Sequence, residues 1–203
     1  MMRGAGLGLV GVAAVAAATF MIAQPADHPM TAAAHSIPSA PQTGDRISVP
    51  QGRQSQLALP GSERLAVKSV LNVPSRMKYG DFAWNEEGVP KGDLMVRVDL
   101  REQTIAVFRA GHEIGTAVIL YGADEKPTPA GLYPIIEKRK QHRSNLYDAE
   151  MPYMLRLTND GIAIHAADVR QGRATHGCIG VPDGFAEALF GVVAPGDKVA
   201  IVT

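Results

Sequence analysis

A mainly β domain with one or two short helices is the fold class that this sequence predicts, on three observations. From Gly92 onward apolar residues recur mostly at every second position, the spacing of a half-buried strand. Turns bearing Gly and Pro interrupt that pattern at short intervals. One segment, Phe185 to Phe190, instead spaces its apolar side chains as a helix does.

The elements follow in order. Leu94 to Leu100 alternates as a first strand, and Thr104 to Phe108 forms a second after a short charged turn. Arg109-Ala110-Gly111-His112 then turns the chain into Glu113 to Tyr121, which makes three hairpin-linked strands and leaves His112 exposed in a turn. Pro127-Thr128-Pro129-Ala130-Gly131 reads as a rigid loop, because each proline fixes its own φ and restricts the residue before it. Further strands are expected over Leu132 to Glu137, Tyr153 to Leu157 and Gly161 to His165, with an exposed His142 between them in a polar loop open to bordering a cleft. Asp183-Gly184 opens the short helix. Pro195-Gly196-Asp197 turns the chain into a last strand, Lys198 to Val202.

Ahead of this domain the composition changes twice. Residues 1–26 read as a signal peptide or membrane anchor: Arg3 is a cationic start, Leu7 to Ile22 is apolar and Ala-rich, and Ala23-Gln24-Pro25-Ala26 offers a cleavage point. The apolar run is nearly long enough to span a bilayer, so cleavage and anchoring both stand, and under either the remainder is exported. Residues 27–60 are rich in Ala, Pro, Ser, Gln and Gly, the composition of a flexible linker. In 61–91 apolar residues return, among them Leu65, Val67, Phe82 and Trp84, as an N-terminal extension packed on the domain of residues 92–203. That domain, about 110 residues long, is large enough for one core and too small for two.

The 203 residues carry 20 Lys plus Arg against 20 Asp plus Glu, a formal charge of zero. Nucleic acid is not expected as a partner, since it demands a dense cationic footprint.

The single cysteine, Cys178, is the most informative residue. An unpaired thiol in an exported chain is either an inert buried residue or a reactive one. His176 lies two positions before it and His165 ends a strand just upstream, and imidazole is the usual partner that holds a thiol as its nucleophilic thiolate. Acyl transfer also needs donors for an oxyanion, and the amides of Gly177 and Cys178 are the candidates. A zinc site from His165, His176 and Cys178 lacks a second cysteine, so no metal is expected.

Met151-Pro152-Tyr153, Gly161-Ile162-Ala163-Ile164-His165 and Thr175-His176-Gly177-Cys178-Ile179 together resemble the signature of the L,D-transpeptidase catalytic domain family, the YkuD type. Upstream, Lys126-Pro127-Thr128-Pro129-Ala130-Gly131-Leu132-Tyr133-Pro134-Ile135 is similar to that family's Thr-Pro-x-Gly segment. The resemblance implies a β-sandwich-like domain and a periplasmic or cell-wall enzyme without cofactor. Its substrates would be peptidoglycan stem peptides, and protein partners are not indicated. It also implies Cys178 as the nucleophile, His165 as proton donor and acceptor, and His176 and Gly177 as the shapers of the nucleophile loop. Thr175 would be a hydroxyl hydrogen-bonder, and the Ala166 carbonyl would orient the imidazole, with the Asp168 side chain as the alternative. Tyr153 is a candidate for substrate contact, with packing under the loop as the equal alternative.

Two departures bear on substrate choice. Many family members carry Arg where this chain has Gly180, so a carboxylate grip would fall to Arg170 and Arg173 in the short loop after His165, with solvated loop charges as the alternative reading of both. With water as acceptor in place of an amine, the same site becomes an L,D-carboxypeptidase or endopeptidase. A cell-wall-binding module with a lapsed site is the non-enzymatic alternative.

Overall fold

The computed structural model describes residues 46–50, 56–73, 75–122, 126–145 and 147–203. The expected signal, 1–26, and most of the linker, 27–60, lie outside them.

The three expected hairpin strands form as β6 (Leu94–Asp99), β7 (Thr104–Arg109) and β8 (His112–Val118), each antiparallel to the next. Alternation in β6 buries Val96 and Val98 completely. By contrast β8 is buried at every position from Glu113 to Val118. It pairs with β7, with β4 (Ser69–Leu71) and with β5 (Phe82–Trp84), so it is the interior strand of the sheet. The last strand, β14 (Lys198–Val202), lies parallel to β6 and antiparallel to β9 (Gly131–Pro134).

Part of the expected linker is structured. Residues 46–48 form β1 on the edge of the large sheet beside β4, and residues 56–58 form β2, paired with β3 (Arg64–Ala66). Polar anchoring achieves for β1 what its composition lacks in apolar surface: the Arg46 guanidinium donates to the carbonyls of Glu113 and Asn85. His112 is likewise not a free turn residue. It opens β8 with Nδ1 2.8 Å from Ser69 Oγ.

The strand expected over Leu132 to Glu137 divides between two sheets. Pro134 has no N–H with which to continue a ladder. Past it, Ile135 N donates to Asp197 O on the large-sheet side at 2.9 Å, while Ile136 N donates to Arg156 O at 2.7 Å. The chain thereby enters β10 (Glu137–Arg139), first strand of a four-stranded sheet with β11 (Met154–Arg156), β12 (Ala163–Ala166) and β13 (Ile179–Val181). The β12–β13 pair is parallel and the others are antiparallel.

Alternation gives this small sheet two distinct faces. Leu155, Ile164 and Ile179 point to the core and are 0–1% exposed. The core is closed by α1 (Asp183–Val192), whose fully buried Phe185 meets Phe82 and Trp84 edge-on at 6.3 and 5.5 Å between ring centroids. Glu137, Met154, Arg156, Ala163 and His165 point the other way.

Candidate active site

That outer face is the floor of a cleft of about 880 Å³. Cys178 and His165 both line it, as do His176, Thr175 and Arg173. Tyr153 and Arg170 do not. The Tyr153 hydroxyl donates to Glu187 Oε1 on α1 at 2.8 Å and its ring packs on Phe190, the packing arrangement of the two open to it. Arg170 Nε donates to Asp168 Oδ1 at 2.6 Å.

His165 sits on β12 directly opposite Gly180 on β13. Its Nδ1 lies 2.8 Å from the carbonyl oxygen of Ala166. A carbonyl only accepts, so Nδ1 carries the ring proton and Nε2 is left as the basic nitrogen. Burial pushes the imidazole below its usual range, against the opposing pull of the Ala166 carbonyl, and nearby His142 adds to the lowering. The ring is therefore neutral near pH 7. The Asp168 carboxylate takes no part, since it is engaged by Arg170 and lies 4.0 Å from Arg173.

Cys178 lies one residue ahead of β13, level with Ala163 across the parallel pair. Its Sγ donates to Gly161 O at 3.6 Å. Burial raises the thiol above its usual range, more than the Ala163 backbone and Lys126 lower it. Burial thus favours the uncharged form of both Cys178 and His165. Among the described residues no hydrogen bond joins them directly, and both line the cleft.

The loop before Cys178 is shaped from three sides. Gly177 has φ +98°, which an L side chain resists, and a Cβ there would come 2.7 Å from Ile162 Cδ1. The Thr175 hydroxyl spans the loop to the Cys178 carbonyl. Thr128, buried on the proline-rich loop, accepts from Gly122 N at 2.9 Å and donates to Gly177 O at 3.0 Å. Leu120 and Gly180 exchange two backbone hydrogen bonds, 2.8 and 2.9 Å, and tie β13 to the end of the large sheet. Among the described residues the Gly177 and Cys178 amides make no backbone hydrogen bond, and Gly177 itself is buried and does not line the cleft.

His176 is exposed at the cleft rim, where its ring stacks on Tyr147 at 4.3 Å and 12°. Lys126 Nζ donates to the Tyr147 hydroxyl at 3.1 Å. Spacing alone could not place Thr128, Tyr147 or His142 at the site, because each arrives from a distant loop. His142 lines the cleft, which its polar loop was open to bordering, and is half-buried there instead of exposed.

The profile of the L,D-transpeptidase catalytic domain, YkuD, matches residues 93–201, and the chain belongs to this family. The solved structure of an L,D-transpeptidase from Stackebrandtia nassauensis is 25% identical with a TM-score of 0.52, over 56% of this chain and 57% of that one. An Enterococcus faecium L,D-transpeptidase mutant is 26% identical at TM-score 0.50, over 55% and 50%. Mycobacterium tuberculosis L,D-transpeptidase 1, at 24% identity and TM-score 0.50 over 55% and 62%, shares the fold. The matches thus span between half and about three-fifths of those structures. No curated protein matches this chain.

Proposed function

We propose that the protein is an exported L,D-transpeptidase of the periplasm or cell envelope that cross-links peptidoglycan stem peptides through a thioester on Cys178. The observation that carries this reading is the Nδ1 contact of His165 with the Ala166 carbonyl, which leaves a neutral Nε2 facing the same cleft as the only thiol.

The chemistry runs in two halves. As Cys178 Sγ attacks the carbonyl carbon of the third stem residue, its proton passes to His165 Nε2. The carbonyl oxygen takes the negative charge beside the Gly177 and Cys178 amides. Collapse breaks the C–N bond, and the departing D-alanine amine takes the proton from His165. An acceptor amine then attacks the thioester carbonyl, gives its proton to Nε2, and expels the sulfur, which regains that proton. Both shifts suit this order: a thiol kept protonated is deprotonated only as it attacks, and a neutral imidazole is ready to accept.

Incubation with a tetrapeptide muropeptide, with and without an amine acceptor, tests the assignment. A cross-linked dimer is expected. Tripeptide alone would make the enzyme a carboxypeptidase, and neither product from a folded sample would point to a binding module.

A further inference from the structure

One row of residues runs straight across the cleft floor. Cys178 lies level with Ala163, Ala163 pairs with Arg156, and Arg156 pairs with Glu137. Arg156 therefore stands two strand spacings, about 9.6 Å, from the cysteine on the same sheet face.

Its surroundings are unusual among the cations of the cleft. Arg156 NH2 donates to Glu137 Oε2 at 2.8 Å, while the other Glu137 oxygen accepts from Arg139 Nε. One carboxylate shared by two guanidinium groups leaves a positive charge over at this end of the cleft. Among the described residues Arg156 Nε is buried without a partner, a donor that is costly to leave unmade. Lys126 is engaged by Tyr147, and Arg173 is 61% exposed beside Asp168. Gly180 has no side chain to offer, and a Cβ there would come 2.9 Å from Ala167 Cβ.

We propose that Arg156, oriented by Glu137, grips a carboxylate of the stem peptide that Cys178 attacks, and so determines which donors the enzyme accepts. The proposal rests on the stem-peptide reading above. A planar guanidinium held on one edge by Glu137 can present its remaining N–H groups to a second carboxylate, which a lysine ammonium matches poorly. Three carboxylates of a tetrapeptide stem share this chemistry: that of the D-glutamyl residue, that on the side chain of a diamino diacid at position three, and that of the terminal D-alanine.

Calorimetric binding to the full chain carrying Cys178→Ala reads the effect without turnover. The probes are the unmodified tetrapeptide and three versions, each with one carboxylate amidated. Adding Arg156→Gln should weaken the unmodified peptide about tenfold or more. At least one amidated version should bind both proteins equally, and that version identifies the carboxylate. Arg156→Lys should recover only part of the loss. Equal weakening of all four peptides, or no weakening of any, overturns the proposal while leaving the stem-peptide reading intact. Failure of the unmodified peptide to bind when Arg156 is present overturns both.

Discussion

His165 Nδ1 and the carbonyl oxygen of its chain neighbour Ala166 lie 2.8 Å apart, and this one contact sets the protonation geometry of the cleft. A backbone carbonyl cannot ionise, so it fixes the tautomer without adding a charge that would hold an imidazolium. Burial, which lowers the ring and raises the Cys178 thiol, favours the uncharged form of both groups.

His165 and His176 should therefore separate cleanly on substitution. His165→Ala removes the basic nitrogen and is expected to lower acylation by at least about a hundredfold. His176→Ala loses a stacked partner of Tyr147 at the rim and should cost far less. Stopped-flow acylation by a carbapenem measures both, and equal losses would move the base role.

The neutral pair also has a pH signature. Alkylation of Cys178 by iodoacetamide depends on the thiolate, and its midpoint should lie above the ordinary thiol value of about 8.5. His165→Ala should leave that midpoint nearly unchanged, because the imidazole is not stabilising a thiolate. A midpoint near neutral pH that rises in the variant would indicate an ion pair instead.

Thr128 and Gly180 test the scaffold. Thr128→Val removes a donor and an acceptor from the nucleophile loop at nearly constant volume. It should cost about 1–3 kcal/mol of stability and slow acylation, with Thr128→Ser largely retaining both. Gly180→Arg should lower the melting temperature, since its Cβ meets Ala167 Cβ at 2.9 Å, and adding Ala167→Gly should restore part of the loss.

Glu113 provides a stability prediction away from the cleft. Burial raises its carboxyl, although Leu71 N, at 2.9 Å, and Arg46 oppose the shift. A raised acid keeps its proton in the folded state where the unfolded chain has lost it. Its contribution to stability is thus fully present below the ordinary carboxylate range and is lost as pH rises to the folded pKa. Thermal melts from pH 4 to 7 should show Glu113→Gln gaining on the wild-type protein as pH rises. The opposite trend would place an ionised Glu113 in the fold.

The sequence made the chemistry legible where chemistry and chain order coincide. Cys178, His165, Gly177 and Thr175 lie within fourteen positions of one another, and their residue types are scarce enough to stand out. The hairpins β6 to β8 were legible for a similar reason: contacts between chain neighbours leave a local period. Thr128 stands in the segment that resembles the family's Thr-Pro-x-Gly pattern, but its contact with Gly177, like the stack of Tyr147 on His176, comes from far along the chain and no local pattern announces it. The break between β9 and β10 depends on which of two sheets claims Ile135 and Ile136, a choice made by tertiary pairing. Strand β1 was hidden in linker-like composition because Arg46, not apolar burial, holds it in place.

Intact-mass analysis after exposure to a carbapenem tests the central claim most directly. Wild-type protein should gain one covalent adduct, localised to the peptide containing Cys178, and Cys178→Ala should gain none. An adduct of the same mass on Cys178→Ala would contradict the assignment of the nucleophile.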